Sequence, residues 1–417
     1  MRISRIGMKT KHDRGSEELL SLEMLYQASQ LKKHVAGVYG FGHFLVRARN
    51  KIVDIIRRKL EKYECAEVSL PILQSKKLWE KSGRWETFTK DNLMFNFVGR
   101  NGHYCLAPTG EEVVLDFAKQ NIFSYKDLPI NIFQIGNKYR DEIRVRGGIL
   151  RSKEFLMKDG YSFHVDFEDM NREYLEMKRC YFEIFQELGL DVVSVKALNS
   201  DMGGKISEEF MCFSSIGEDR ILIDRERNIF LNAEILDDAE ILKKVEEENP
   251  GLKVADMESA ECIELAHIFQ LGQFYSEKMD GFFVDKDETK KAYYMGCYGI
   301  GINRVLGTIC ENCCDEQGLK WPKSIAPYVA VIIYVEETEN EAQELYCFLK
   351  DNGLEVVLYD KEATFGSKIK DSKLLGFLYT IILGKKYKLD FLIEVEDRSS
   401  SKKLYLNRDE LVDFLKK

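Results

Sequence analysis

The chain contains no apolar run approaching the roughly eighteen residues that a membrane-spanning helix needs. Its opening stretch, MRISRIGMKTKHDRGSEE, has no apolar centre of the kind a secretion signal requires. No membrane partner is therefore expected. Basic excess is also missing: 61 Lys and Arg stand against 70 Asp and Glu, a net charge of −9. That excludes indiscriminate nucleic-acid binding, so any RNA partner has to be met by local basic patches. The ten cysteines show no framework spacing. Cys310-x-x-Cys313-Cys314 has no second pair to complete a zinc set, so no protein metal ligands are expected and the thiols are expected to be reduced, in a cytoplasmic protein. Gly299 and Gly301 lack the third glycine and the βαβ setting of a dinucleotide fold. What remains is an ordinary globular composition, 45% apolar and 31% charged, in 417 residues, enough for two or three domains.

The most informative stretch is QIGNKYRDEIRVRGGILRSKEFLMKDGYSFH, residues 134–164. Strands over 131–139 and 154–163 are expected to flank a basic turn, Arg144-Val145-Arg146-Gly147-Gly148. Arg140 and Glu142, two apart on the first strand, then share a face. A guanidinium fork grips phosphate and a carboxylate accepts from an exocyclic amine, the two ends of a nucleotide, although an edge ion pair has the same spacing. Phe155 offers a flat surface to a base or a cap to a core. Thr109 and Glu111 present two oxygens suited to the N–H groups of a secondary ammonium. The same residues also read as a capping box, Thr109 with Glu112, at the head of a helix over 112–119.

Gly299 and Gly301 weaken a strand unless a ligand or another backbone must come close. Arg304, beside the next helix, can stack on a base and reach a phosphate. Helices are expected over 44–63, 166–188 and 237–248, with Ser16 capping another near the start, and a strand over 65–71 ends at Pro71. After Pro322 and Pro327, strands and helices alternate in a small α/β domain of about ninety residues.

These motifs carry a resemblance. Tyr139-Arg140-Asp141-Glu142 resembles motif 2 of class II aminoacyl-tRNA synthetases, and its continuation to His164 closely resembles bacterial-type prolyl-tRNA synthetase. The helix running into Pro71 resembles motif 1, the Ser82-Gly83-Arg84-Trp85 stretch recurs in the prolyl family, and Gly296-Cys297-Tyr298-Gly299-Ile300-Gly301 through Arg304 resembles motif 3 in its prolyl form. The resemblance implies an α+β class II catalytic domain over 1–320, an antiparallel sheet flanked by helices, and an anticodon-binding-like α/β domain over 325–417. A short linker, 235–260, replaces the large editing insertion, so mischarged alanyl product is not expected to be hydrolysed in cis.

The activity implied is proline–tRNA ligation: ATP and L-proline form prolyl-adenylate, and the prolyl group passes to the 3′ end of tRNA(Pro). By resemblance Arg140, Glu142 and Arg304 are catalytic. Together with Phe155 and Gln270 they bind ATP with its Mg2+. Thr109, Glu111, Arg140, Asp159, His267, Cys297 and Gly299 bind proline, Arg144 touches the tRNA acceptor stem, and motif 1 builds a homodimer. Gly110 and Ala266 depart from the family's usual residues, and Gly110 is expected to loosen its loop. Tyr359-Asp360-Lys361 and Phe377-Leu378 depart in the C-terminal domain and put its anticodon contacts in question. A paralogue handing prolyl-adenylate to a carrier protein, and a non-catalytic tRNA- or amino-acid-binding regulator, are the alternatives.

Overall fold

The computed structural model describes residues 1–7, 9–11, 17–197, 206–237 and 239–416. The cap expected at Ser16 lies outside the described residues. Two compact units are formed, Met1–Ile52 with Leu306–Lys417, and Val53–Val305. Among the described residues no helix is long and apolar enough to cross a membrane.

The unit Val53–Val305 is built on nine strands: β1 (Ala66–Glu67), β2 (Ile130–Tyr139), β3 (Glu154–His164), β4 (Val192–Lys196), β5 (Ile206–Phe213), β6 (Asp219–Asp224), β7 (Ile229–Asn232), β8 (Glu258–Gly272) and β9 (Tyr294–Gly301). Their order is β5-β4-β7-β6-β8-β9-β3-β2-β1, with β5 also paired to β8. Pairing is antiparallel except for β1 beside β2 and a single bridge between β7 and β4. The β2–β3 hairpin runs in register from Ile130↔Phe163 to Tyr139↔Glu154. Its tip closes with Gly147 and Gly148 both at positive φ, 60° and 63°, where glycine has no Cβ penalty.

Helix α1 (His43–Lys62) forms where expected, but the strand expected over 65–71 shrinks to β1. The chain leaves the sheet at Leu70, whose N–H donates to the Gln134 side chain at 3.2 Å instead of to a ladder partner. Helix α2 (Glu111–Ala118) starts one residue before the expected position. Gly110 occupies the N-cap without a side-chain cap, so the capping box is not formed. The Thr109 hydroxyl donates to Glu111 at 2.6 Å instead.

Helix α3 (Phe167–Glu187) is capped by Asp166, which accepts from Asp169 N–H. Its buried Met170, Tyr174, Met177, Tyr181 and Ile184 recur at helical spacing, and the helix packs on β3, β8 and β9. Strand alternation then decides the opposite face. On β3, Lys158 points to the helix, where its ammonium donates to the Tyr181 hydroxyl at 3.0 Å. Phe155, Met157, Asp159 and Tyr161 take the other parity and face a cavity.

In the other unit, β10 (Ala330–Tyr334), β11 (Val356–Leu358), β12 (Tyr379–Leu383), β13 (Ile393–Asp397) and β14 (Lys403–Leu406) pair in the order β11-β10-β12-β13-β14. The first two pairings are parallel and the last two antiparallel. Leu345 and Leu349 from Glu339–Asp351, with Leu411 and Leu415 from Arg408–Lys416, close one core over this sheet. The departures at 359–361 and 377 have internal uses. Asp360 accepts from the Ser4 N–H at 2.9 Å and its hydroxyl at 2.6 Å, and Phe377 packs edge-on against Phe44 with centroids 5.4 Å apart.

Candidate active site

A cavity of about 380 Å³ lies on the helix-free face of β3, β8 and β9. Thr109, Glu111, Arg140, Glu142, Phe155, Asp159, His267, Cys297, Gly299 and Arg304 all line it. The two arginines expected to meet, one beyond β2 and one in the first turn of Ile302–Asn312 (α4), do share this space.

Arg140 and Glu142 are not on the strand itself. The ladder of β2 ends at Tyr139, and only the Arg140 N–H continues it, to the Lys153 carbonyl at 2.9 Å. Arg140 donates through Nε to the Pro108 carbonyl at 3.3 Å, and its guanidinium carbon sits 5.3 Å from the Phe155 ring centroid. Burial first and the neighbouring Arg304 second pull its pKa down, with Glu142, Glu264 and Glu111 opposing. Two confined cations with apolar walls make a receptor for a multiply charged anion. Glu142 accepts from Arg151 Nε at 3.0 Å, and Arg151 also reaches Glu218 at 3.1 Å.

The acidic end of the cavity is fixed from behind. Asp159 is buried, accepts from Gln134 Nε2 at 2.9 Å and the Tyr161 hydroxyl at 3.0 Å, and pairs with buried Lys138 at 2.8 Å. Glu111, wholly buried, accepts from Thr109 Oγ1 at 2.6 Å, Arg84 Nη1 at 3.2 Å and Cys297 Sγ at 3.4 Å. The Cys297 thiol is pushed well up, by burial first and then by Glu111 and Asp159, and stays a neutral donor.

On β8 a bulge places an extra residue between Glu264 and Ala266, opposite Phe210 and Met211 of β5. The extra residue turns Glu264 to the same face as His267, three positions on. Their side chains approach to 3.3 Å, with Glu209 3.8 Å from His267. Arg304 Nη1 donates to Glu264 at 2.8 Å. Burial raises the Glu264 pKa, but His267 and Arg304 outweigh it and hold it at about 2. Burial, then Glu264, pushes Glu209 up to about 8. One ligand atom each from Glu209, Glu264 and His267 fall within 4.8 Å of one another, although no metal ligands were expected from the sequence.

The class II tRNA synthetase core domain model (G, H, P, S and T) matches residues 95–313, and the anticodon-binding domain model matches 328–417. A proline–tRNA ligase of Sulfurimonas denitrificans is 36% identical over 99% of this chain and 98% of its own length. One from Rickettsia rickettsii is 33% identical over 94% of each. The chain belongs to the proline–tRNA ligase family. The family's Thermosipho melanesiensis member, 30% identical over 95% of this chain, needs an alignment of 542 residues, longer than the chain itself. A prolyl-tRNA synthetase from Cryptosporidium parvum, solved with L-proline and AMP, shares the fold with a TM-score of 0.74 at 18% identity, over 98% of this chain and 77% of that one.

Two residues singled out from the sequence stand away from the cavity. Gln270 is not among its lining residues; its amide donates to Asn171 of α3 at 2.9 Å, on the helix side of the sheet. The cause is parity: three positions from His267 along a regular stretch of strand is the opposite face. Arg144 is exposed in the loop leading to the hairpin tip. Arg84, Lys138, Gln134, Arg151 and Glu264 were assigned no role from the sequence, yet they hold Glu111, Asp159, Glu142 and Arg304. Arg84, Gln134, Lys138 and Arg151 fell inside quoted stretches, but nothing in their spacing signals the partner that each holds.

Proposed function

We propose that this cavity holds ATP and L-proline side by side, and that the chain, as a proline–tRNA ligase, joins them as prolyl-adenylate and passes the prolyl group to tRNA. The observation that carries the reading is the meeting of Arg140, Glu142 and Arg304 with Thr109, Glu111 and Asp159 in one space. The first set suits a nucleotide, and the second suits an ammonium group.

In this reading the proline carboxylate attacks the α-phosphorus and pyrophosphate leaves. No enzyme nucleophile takes part, and the rate comes from orientation and charge stabilisation. Arg140 bridges carboxylate and α-phosphate and bears the charge that grows in the transition state. Phe155 and Arg304 enclose the base, and Glu142 accepts from its amino group once Arg151 has released it. Asp159 and Glu111 hold the secondary ammonium. Magnesium neutralises phosphate charge in such transfers, and the Glu264 and Glu209 carboxylates, hard oxygen donors beside Arg304, are the residues here that would hold it. Gln270 has no place in this scheme.

The family-model boundaries at 313 and 328 support a catalytic domain ending near 320 and an anticodon-binding domain from about 325. Ten free cysteines support a reducing, cytoplasmic setting. The exposure of Arg144 before the tip supports its contact with the acceptor stem, and the motif 1 resemblance supports a homodimer. Replacing Arg140 by alanine is expected to lower proline-dependent pyrophosphate exchange roughly a hundredfold or more, the usual cost of a lost charge-stabilising donor. Near-normal exchange in that variant overturns the assignment.

A further inference from the structure

Behind the ammonium end of the cavity lies a buried trio of which the proposed chemistry uses Glu111 alone. Arg84 is 4% exposed, and Glu111 and Glu112 are fully buried. Arg84 Nη1 is 3.2 Å from Glu111 Oε2 and 3.2 Å from Glu112 Oε1, so one guanidinium nitrogen serves two carboxylates. Ser82 donates to Glu112 at 2.7 Å, and the guanidinium carbon lies 4.4 Å from the Phe88 ring centroid, 5.3 Å from Trp79 and 5.4 Å from Tyr275. Aromatic walls on several sides exclude water from the trio. With both carboxylates ionised it carries one uncompensated negative charge in an apolar setting, an arrangement that favours retaining one proton.

We infer that proline binding is coupled to release of one proton from the Glu111–Glu112 pair, with Glu112 as the reservoir and Arg84 the positioning residue that links it to Glu111. The inference rests on the proposed placing of proline at Glu111. A secondary ammonium arriving there supplies the missing positive charge, so both carboxylates ionise; the Glu112 O–H bond breaks and the proton passes to the buffer. Burial raises the Glu112 pKa most, Arg84 lowers it and Glu111 raises it again. The other titratable groups facing it are Cys105 on Gly102–Leu106 and Tyr275 on Phe274–Lys278. Both are pushed up chiefly by burial, so they stay neutral and do not compete for the proton. Arg84 itself, lowered by burial, is carried above its ordinary value by the two glutamates and keeps its charge.

Titration calorimetry of the full chain with L-proline near pH 7, in phosphate and in Tris, reads the released proton as a buffer-dependent enthalpy. The expected result is close to one proton released by the wild type. Glu112→Gln, which keeps Glu111 and Arg84, is expected to bind proline with that release abolished. Ser82→Ala, which weakens the hold on Glu112 without altering any charge, is expected to keep the release but shift its pH profile. Proline binding with no buffer dependence in the wild type overturns the inference and leaves the proline site standing, as does release that persists in Glu112→Gln. A wild type that neither binds proline nor supports proline-dependent exchange overturns both.

Discussion

A methyl group added at Gly110 would lie 2.7 Å from the Asp159 carboxylate and 2.9 Å from the Tyr161 hydroxyl, which itself accepts the Gly110 N–H at 3.0 Å. The glycine expected to slacken this loop therefore tightens it, by letting the backbone touch Asp159 and Tyr161 of the cavity lining. Gly110→Ala is expected to raise the KM for proline tenfold or more with a smaller change for ATP, and to cost roughly 1–3 kcal/mol of stability through overpacking, read from denaturant unfolding. Unchanged kinetics would show the contact to be slack. Most residues that line the cavity were legible because their side-chain chemistry matched a motif, as with Arg140, Glu142 and Thr109. Gln270 was misplaced although strand parity argues against its sharing a face with His267. Glu264 was overlooked because the bulge that brings it to His267 is set by β5, far away in sequence.

Among elements, the long helices and the β2–β3 hairpin read clearly because each carries its own signal: apolar period for α1 and α3, paired runs around glycines for the hairpin. Strand β14 and the short helix Lys385–Asp390 were missed. Both are brief and owe their form to the sheet beside them rather than to local preference. The pairing of β5 with β8 sets Glu209 directly opposite His267 and near Glu264, and it has a consequence for pH.

Glu209 titrates at about 8 when folded against an ordinary 4.5, so between those values the folded chain holds a proton that the unfolded chain has lost. Its contribution to stability therefore falls as pH rises from about 4.5 to about 8. Glu264, held at about 2, acts in the opposite sense and stabilises as pH rises from about 2 to 4.5. Glu209→Gln removes the first effect. Its Tm is expected to match the wild type near pH 4.5 and to exceed it increasingly toward pH 8. Parallel melting curves across that range would contradict the upward push on Glu209 by burial and Glu264.

At the scale of the molecule, a net charge of −9 is compatible with an RNA partner because recognition is local. Arg144 and Arg146 stand exposed near the hairpin tip, and a whole-chain total says nothing about them. The two-part organisation was visible in the change of pattern after Pro322. The joining of Met1–Ile52 to the C-terminal unit was not, since it depends on contacts between the two ends of the chain, such as Ser4 with Asp360.

The most direct measurement is aminoacylation of total tRNA by the full chain with ATP and each amino acid in turn. Proline is expected to be esterified to its tRNA, at a rate that Arg140→Ala and Arg304→Ala each abolish. Proline-dependent pyrophosphate exchange that leaves every tRNA uncharged, or charging with another amino acid in proline's place, would contradict the account.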